Sequence, residues 1–169
     1  MKKYVHGYTK REAERLADQS GILEELLHAG TRYAAGEHVL EAGCGIGAQT
    51  EILSRRNPDA RFTSVDISEE SLARARERLS DRPGVQFQRA DILRLPFEDS
   101  CFDHVFVCFV LEHLDDPHGA LIELRRVLNP EGWLLTSVAN PSGRFMGEVA
   151  GEHFDSPVPY EALYSKLAP

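Results

Sequence analysis

Between residues 38 and 138 the spacing of hydrophobic positions alternates between short apolar runs, which are typical of β-strands, and helical spacing. Five short apolar segments are predicted to be β-strands: 38–42, 61–65, 85–89, 103–111 and 133–138. Ser68 and Asp116 are candidate caps of two segments with helical spacing, and residues 48–56 are helical in composition. Strands that alternate with helices predict an α/β fold with a doubly wound, mostly parallel sheet and helices on both faces.

The two ends of the chain follow other patterns. An amphipathic helix is predicted over residues 10–28, and beyond residue 140 glycine and proline interrupt every periodicity. We expect loops in that tail, with one short helix over 160–167. The predicted organisation is an N-terminal helical cap segment (1–36), a core (37–139) and a loop-rich tail (140–169) that is not a separate domain.

Chemically distinctive residues follow the first two predicted strands. Gly43, Gly45 and Gly47 form a turn in which a side chain would keep a ligand away from the backbone. Asp66 ends the second strand, where a carboxylate can accept the hydroxyls of a ribose. Ligands of open α/β sheets bind beyond the carboxyl ends of the strands. A tight structural turn beside an exposed acid is the alternative interpretation.

The glycines alone leave the ligand open. Gly43 and Gly45 together with Ala48 fit the G-x-G-x-x-[GA] pattern of enzymes that bind NAD(P). The same two glycines together with Gly47 fit the pattern G-x-G-x-G. Six segments in order carry more information: VLEAGCGIG (39–47), SVDIS (64–68), RADI (89–92), LPFEDSCFD (95–103), FVLEHL (109–114) and LNPEG (128–132).

On these segments the chain resembles the class I S-adenosylmethionine-dependent methyltransferases, a family with a Rossmann-like fold. The resemblance covers about residues 37–138 and is closest to the branch with the ubiquinone and menaquinone C-methyltransferases. It implies S-adenosylmethionine as cofactor and S-adenosylhomocysteine as product. It also implies methyl transfer to a small-molecule acceptor by in-line displacement. A dinucleotide enzyme is not expected to carry the later segments.

The resemblance also assigns roles to residues of the cofactor site. Glu41 and the backbone of Gly43, in a turn that includes Ala42 and Cys44, are expected to hold the methionine amino end. Gly45 and Gly47 let the cofactor pass close. The remaining expected contacts are Asp66 with the ribose hydroxyls, Ile67 with the adenine ring, Asp91 with the adenine amino group flanked by Ala90 and Ile92, and Phe109 near the sulfonium.

Tyr8 and Arg15 resemble residues of an entry helix that closes over the cofactor. Either is a candidate contact for the cofactor carboxylate, since arginine pairs with carboxylates in a bidentate manner. Solvated arginines on an amphipathic helix are the alternative.

His113 is the candidate general base or acceptor contact, because it follows the fourth strand. A structural hydrogen bond is the alternative for this side chain. His113 and His118 flank two aspartates, but Asp116 is explained as a helix cap, so no metal site is expected.

Composition narrows the partners. The chain has 169 residues, 42% of them hydrophobic, and a formal net charge of −8. That charge argues against binding to nucleic acid or to an anionic membrane. Three cysteines do not make a disulfide framework, and the sequence has no signal peptide or long apolar run, so we expect a cytoplasmic protein.

The tail departs from the family pattern. Family sheets usually have seven strands, and we find about five. The fifth strand is therefore expected to form an exposed edge, which a homodimer would cover. The alternative function is a truncated or non-catalytic module that binds S-adenosylmethionine.

Overall fold

A computed structural model describes Glu24, His28, residues 31–137 and the backbone of three strands in the tail. Five strands form the parallel part of the main sheet: β1 (His38–Ala42), β2 (Arg61–Asp66), β3 (Val85–Arg89), β4 (Phe102–Cys108) and β5 (Leu128–Ser137). The helices between them are α1 (Ala48–Arg56), α2 (Glu69–Arg78) and α3 (Pro117–Val127), and a single 3-10 turn spans Leu111–His113.

These five strands have the order β3-β2-β1-β4-β5, and all four pairings among them are parallel. A sixth, short strand from the tail extends the sheet beside β5. The predicted doubly wound α/β fold is therefore confirmed. From β1 the chain moves outward through β2 and β3, and it then returns to the other side of β1 to form β4 and β5. The direction of winding thus reverses between β1 and β4, and ligands of such sheets bind where this reversal occurs.

Apolar side chains cover both faces of the sheet. Neighbours on β1 point to opposite faces: Leu40 packs in one buried cluster with Leu124 of α3, and Val39 packs in the other with Leu53 of α1. All four side chains are fully buried. Each such burial stabilises the fold by roughly 1.5–3 kcal/mol relative to exposure. The helices α1 and α3 therefore lie on opposite faces.

Two predicted caps begin helices in the structure. The Ser68 hydroxyl accepts the N–H of Ser71 at 3.2 Å, and the Asp116 carboxylate accepts the N–H of Gly119 at 2.8 Å. Pro117 occupies the first turn of α3, where its missing N–H leaves no hydrogen bond unmade.

Two strand boundaries differ from the prediction by more than one residue. The strand β4 ends at Cys108 instead of residue 111, because Phe109 has a φ of 57° and cannot continue an extended chain. The strand β5 begins at Leu128 instead of residue 133. The register of its pairing with β4 shifts at this segment, where the Asn129 side chain accepts the N–H of Glu131 at 3.1 Å.

The tail contains strands where we predicted loops. An antiparallel hairpin joins β6 (Arg144–Val149) to β7 (Glu152–Pro157), and β8 (Ser165–Lys166) pairs with β5. The short helix expected over 160–167 is therefore wrong at Ser165–Lys166. Glycine and proline inside the hairpin segments hid their pattern, and a two-residue strand has no period to read.

The edge of β5 is consequently not bare, because Leu135 and Thr136 pair with β8 of the same chain. The expectation of an exposed edge is corrected at these positions. The homodimer that was predicted to cover this edge stays a prediction.

Only part of the predicted N-terminal helix is described. Glu24 and His28 are helical, as expected. The fully buried His28 ring stacks on Phe106 with centroids 5.4 Å apart, and its Nε2 lies 2.6 Å from the Gln49 side-chain oxygen. These contacts connect His28 to β4 and to α1. The candidate contacts Tyr8 and Arg15 lie outside the described residues.

Candidate functional site

The glycine turn follows β1 at the point where the winding of the sheet reverses. Gly43, Gly45 and Gly47 have φ values of 78°, 55° and 77°, in the region that glycine adopts without a steric cost. The N–H groups of Gly43 and Cys44 both donate to the carbonyl of Val65, at 2.8 and 2.9 Å. These bonds tie the turn to the end of β2.

The three glycines are needed for different reasons. A Cβ on Gly43 would collide with the Val110 side chain, and one on Gly47 would lie 3.1 Å from the Cβ of Ala75 in α2. Among the described residues, and apart from its two chain neighbours, a Cβ on Gly45 would meet no atom within 4 Å. Gly43 and Gly47 therefore serve packing, whereas Gly45 leaves open space beside the backbone. The resemblance in sequence assigned the same role, room for the cofactor, to both Gly45 and Gly47.

Asp66 ends β2 directly beside that open space. One carboxylate oxygen accepts the N–H of Gly45 and the other accepts the N–H of Ser68, both at 2.8 Å. Burial raises the pKa of Asp66 above its ordinary value, and the backbone N–H bonds lower it in part. An ionised carboxylate offers about four lone-pair positions, so Asp66 retains capacity for a further donor.

Glu41 is buried one residue before the end of β1. The hydroxyls of Thr50 and Ser64 donate to the same carboxylate oxygen, at 2.5 and 2.8 Å. Burial raises the pKa of Glu41 to about 7, against the lowering effect of these two bonds. An acid with such a pKa changes its charge near neutral pH.

Sequence reasoning missed Thr50 and Ser64. Thr50 lies on the buried face of α1, and Ser64 lies inside β2, where a serine among apolar residues was the available signal. Buried polar groups require partners, so the burial of Glu41 next to the turn implied that hydroxyls surround it.

The end of β3 lies next to Asp66, since the N–H of Ala90 donates to the Asp66 carbonyl at 3.1 Å. Asp91 follows and is exposed. Its side chain accepts the N–H of Leu93 at 2.9 Å. Ile92 is buried in the core, while the apolar side chains of Ile67 and Leu93 are 58% and 43% exposed. The exposed apolar surface thus comes from Ile67 and Leu93.

Phe109 and His113 follow β4. Phe109 is half-buried, packs against the cluster that contains Phe106, and has the left-handed backbone conformation that non-glycine residues seldom adopt. Such conformations cluster at ligand sites. His113 is exposed at the end of the 3-10 turn, and its N–H donates to the Val110 carbonyl at 2.9 Å.

The two remaining residues of the turn are buried. Ala42 is fully buried, and the Cys44 side chain is 6% exposed. Burial raises the pKa of the Cys44 thiol well above its ordinary value. A thiol in that state is a weak nucleophile, so Cys44 serves as a packing residue of the turn.

These residues fit a nucleoside cofactor with a positively charged end. An open glycine backbone admits the ligand, an acceptor-only carboxylate suits vicinal hydroxyls, and exposed aliphatic side chains suit the faces of a base. Glu41 supplies a second acid close to the turn.

The described part of the chain has no helix that is long and apolar enough to cross a bilayer.

Comparison with known proteins agrees with this geometry. A family profile described as "Methyltransferase domain" matches residues 40–136. The chain is 32% identical over 147 residues to the 27-O-demethylrifamycin SV methyltransferase of Amycolatopsis mediterranei, an alignment that covers 82% of this chain and 53% of the relative. It is 40% identical over 123 residues to the trans-aconitate 2-methyltransferase of Methylobacterium nodulans, covering 70% of this chain and 46% of that enzyme.

Solved structures share the fold. A SAM-dependent methyltransferase from Aquifex aeolicus superimposes with a TM-score of 0.68 at 23% identity, over 83% of this chain and 78% of that one. The chain spans about half the length of the two relatives described above, which are 53% and 46% covered.

Proposed function

The chain belongs to the class I S-adenosylmethionine-dependent methyltransferase family, and we propose that it binds S-adenosylmethionine and transfers the methyl group to a small-molecule acceptor. The observation that carries the proposal is the pairing of Gly45 with Asp66. The open glycine backbone donates its N–H to the carboxylate that ends the next strand, at 2.8 Å. Family membership also supports S-adenosylmethionine over a dinucleotide, the two nucleoside ligands that the glycine pattern left open.

In this proposal Asp66 accepts the ribose hydroxyls and Gly45 gives the cofactor room to approach the backbone. The exposed side chains of Ile67 and Leu93 would contact the faces of the adenine ring, and the Asp91 carboxylate would accept a hydrogen bond from its amino group. These side chains lie at the ends of neighbouring strands, which is the arrangement that an extended nucleoside requires.

The methionine end lies toward β4. Glu41 faces the ammonium group, and the backbone of Gly43 and the side chain of Phe109 border the sulfonium. Glu41 is neutral or charged near pH 7, because burial raises its pKa to about 7. A cationic ligand favours the charged form, so we expect binding of the cofactor to release a proton from Glu41.

The bound cofactor supplies an electrophilic methyl group on a sulfonium. The protein's part is to hold an acceptor about 3 Å from that methyl group, in line with the leaving sulfur, and to exclude water. An amine or thiolate acceptor needs no base, whereas a hydroxyl or a carbon acid does. His113 is the candidate base for such acceptors. If His113→Gln leaves turnover of the true acceptor unchanged, the base role is wrong.

A small-molecule acceptor is supported by two kinds of observation. The relatives named above carry the names of a rifamycin and an aconitate methyltransferase. The formal net charge of −8 opposes binding to nucleic acid. In the proposal Tyr8 and Arg15 remain the candidate contacts for the cofactor carboxylate.

A second candidate is a module that binds the cofactor without turnover. Such a module would use the contacts of Gly45 and Asp66 with the cofactor and would need no base for an acceptor. Both candidates predict the same cofactor site, so a binding measurement does not separate them.

Methyl transfer to a metabolite extract from [methyl-³H]S-adenosylmethionine separates the two candidates. We expect the wild type to label an extractable small molecule, and Asp66→Ala to label none. Binding of cofactor without any labelled product supports the non-catalytic module. Labelling of precipitated protein or nucleic acid instead would contradict the small-molecule acceptor.

A further inference from the structure

The segment that leads from β3 to β4 has little regular structure, and it carries Asp91 at its beginning. Its described pairing is a single bridge between Asp91 and Arg94. Irregular segments hold one conformation only where side chains or buried contacts fix them. Whatever holds residues 91–100 therefore decides where the Asp91 carboxylate lies.

Arg126, on the last turn of α3, binds this segment with its whole guanidinium group. All five of its N–H donors are within hydrogen-bond distance of an acceptor. Nε and one Nη2 donor bind the two Glu123 oxygens at 2.9 and 2.7 Å, and the other Nη2 donor binds the Leu95 carbonyl at 3.1 Å. The Nη1 donors bind the Phe97 carbonyl at 2.8 Å and the Asp99 carboxylate at 2.7 Å.

Glu123 adds a contact that fixes the same point from the other side. Its carboxylate accepts the N–H of Leu95 at 2.8 Å, while Arg126 binds the carbonyl of Leu95. Both backbone groups of one residue are thus held by a side-chain pair on α3. The Leu95 side chain is 4% exposed and packs in the core. At the far end, the Arg126 carbonyl accepts the N–H of Ser100 at 2.9 Å.

The anchored Leu95 is joined to Asp91 by a tight turn. The N–H of Arg94 donates to the Asp91 carbonyl at 2.9 Å, and the N–H of Leu93 donates to the Asp91 side chain at 2.9 Å. A shift of Leu95 would move the donors that orient the Asp91 carboxylate. The contacts run without a gap from α3 to the residue proposed to bind adenine.

We propose that Arg126 and Glu123 are positioning residues that set the selectivity of the site for the adenine amino group by holding Asp91 in place. The inference rests on the proposed function. It adds that the purine specificity of the site depends on a side-chain pair on α3 that does not touch the cofactor.

Arginine is required in this role. A lysine has three donors on one nitrogen and cannot reach the separate acceptors in one plane, so Arg126→Lys is not expected to restore the clamp. Glu123 is charged when it binds, because its hydrogen bond to Arg126 lowers the pKa of the carboxyl.

The test is isothermal titration of the full chain with two ligands that differ only at the C6 and N1 positions of the base. S-Adenosylhomocysteine carries the adenine amino group at C6, and S-inosylhomocysteine carries a carbonyl oxygen there and a proton on N1. We expect wild type to prefer the first by about tenfold, since a hydrogen bond to a charged acceptor discriminates by at least that much. Arg126→Met and Arg126→Lys reduce the ratio toward one. The matched control Arg125→Met, from the exposed neighbour on the same helix, keeps it.

The ratio is informative because a purely structural role would weaken both ligands alike. An unchanged ratio in Arg126→Met overturns the positioning role and leaves the proposed function intact. No binding of either ligand to wild type contradicts the proposed function itself. Equal affinities in wild type overturn the Asp91 contact and the inference with it. If Arg126→Met does not fold, Glu123→Gln carries the same prediction, because it keeps the side-chain volume and removes the charge.

Discussion

The two ends of the strands in the main sheet accommodate polar side chains in contrasting ways. We call the side where the strands begin the amino edge and the side where they end the carboxyl edge. At the amino edge, His104 pairs with Glu37 at 3.1 Å, and His38 pairs with Thr63 at 2.9 Å. The His104 ring also lies against Trp133, with centroids 4.4 Å apart. The side chains of His38 and His104 are thus used in contacts between neighbouring elements.

At the carboxyl edge, the acids Glu41 and Asp66 are bonded to hydroxyls and backbone N–H groups that fix their positions. Gly45 and Phe109 adopt positive φ values there, and Gly45 borders open space. The comparison indicates that the amino edge serves stability. The carboxyl edge combines fixed acids with room for a ligand, which is the property of a binding site.

The sharpest contrast within the carboxyl edge is between Gly43 and Gly45. Gly43→Ala is expected to lower the free energy of unfolding by about 2–5 kcal/mol, because the new Cβ collides with Val110 and the left-handed backbone adds strain. Gly45→Ala has the strain without the collision, so about 1–2 kcal/mol is expected. Urea unfolding measures both variants.

Cofactor binding should rank the same two variants by a different criterion. Among molecules that remain folded, Gly45→Ala is expected to weaken S-adenosylhomocysteine more than its small stability loss suggests, because its methyl group enters the open space. Equal stability losses in the two variants would contradict the division of the turn into a packing glycine and a ligand-facing glycine.

Glu41 makes the stability of the cofactor-free protein depend on pH. Its pKa is raised to about 7 in the folded state from an ordinary value of 4.5. The contribution of Glu41 to the free energy of unfolding is therefore fully present below pH 4.5, and it is lost as the pH rises through about 7. The full change is roughly 3 kcal/mol.

The variant Glu41→Gln removes this titration and serves as the reference. We expect wild type to lose stability relative to Glu41→Gln between pH 5 and 8, measured by urea unfolding at each pH. A constant difference between the two proteins across that range would show that Glu41 does not titrate there.

The amino edge offers a variant that should change little. The Tyr33 hydroxyl is buried and has no hydrogen-bond partner among the described residues. Its ring stacks on Trp133 with centroids 5.2 Å apart. Tyr33→Phe keeps the ring and removes the hydroxyl, so the free energy of unfolding is expected to rise by about 1 kcal/mol.

Affinity for S-adenosylhomocysteine should stay unchanged in Tyr33→Phe, because Tyr33 belongs to the amino edge. Loss of stability would indicate a bonded hydroxyl, and loss of affinity would contradict the separation of the two edges.

The sequence predicts correctly those elements whose boundaries are marked by neighbouring residues in the chain. The bounds of β1, α1 and β3 agree with the prediction, because apolar runs and flanking glycine, proline or asparagine mark them. The caps Ser68 and Asp116 are local signals as well. The glycine turn and Asp66 were recognisable because each directly follows a strand.

Features that depend on tertiary contact were missed. The backbone of Phe109 turns left-handed although its sequence continues an apolar run, and β8 exists through its pairing with β5. Thr50 and Ser64 lie 9 and 23 residues from Glu41, so only the fold brings them to one oxygen. The same holds for the Arg126 clamp, whose acceptors lie on another segment.

The most direct test of the account is titration of the cofactor-free protein with S-adenosylhomocysteine. We expect binding on the order of micromolar for wild type, at least about tenfold weaker binding for Asp66→Ala, and an intermediate loss for Asp66→Asn, which keeps one acceptor oxygen. Asp81→Ala, at an exposed loop acid, serves as the control and should bind like wild type. Absence of heat at micromolar ligand in the wild type, or equal affinities for wild type and Asp66→Ala, would contradict the assignment of the carboxyl edge as the cofactor site.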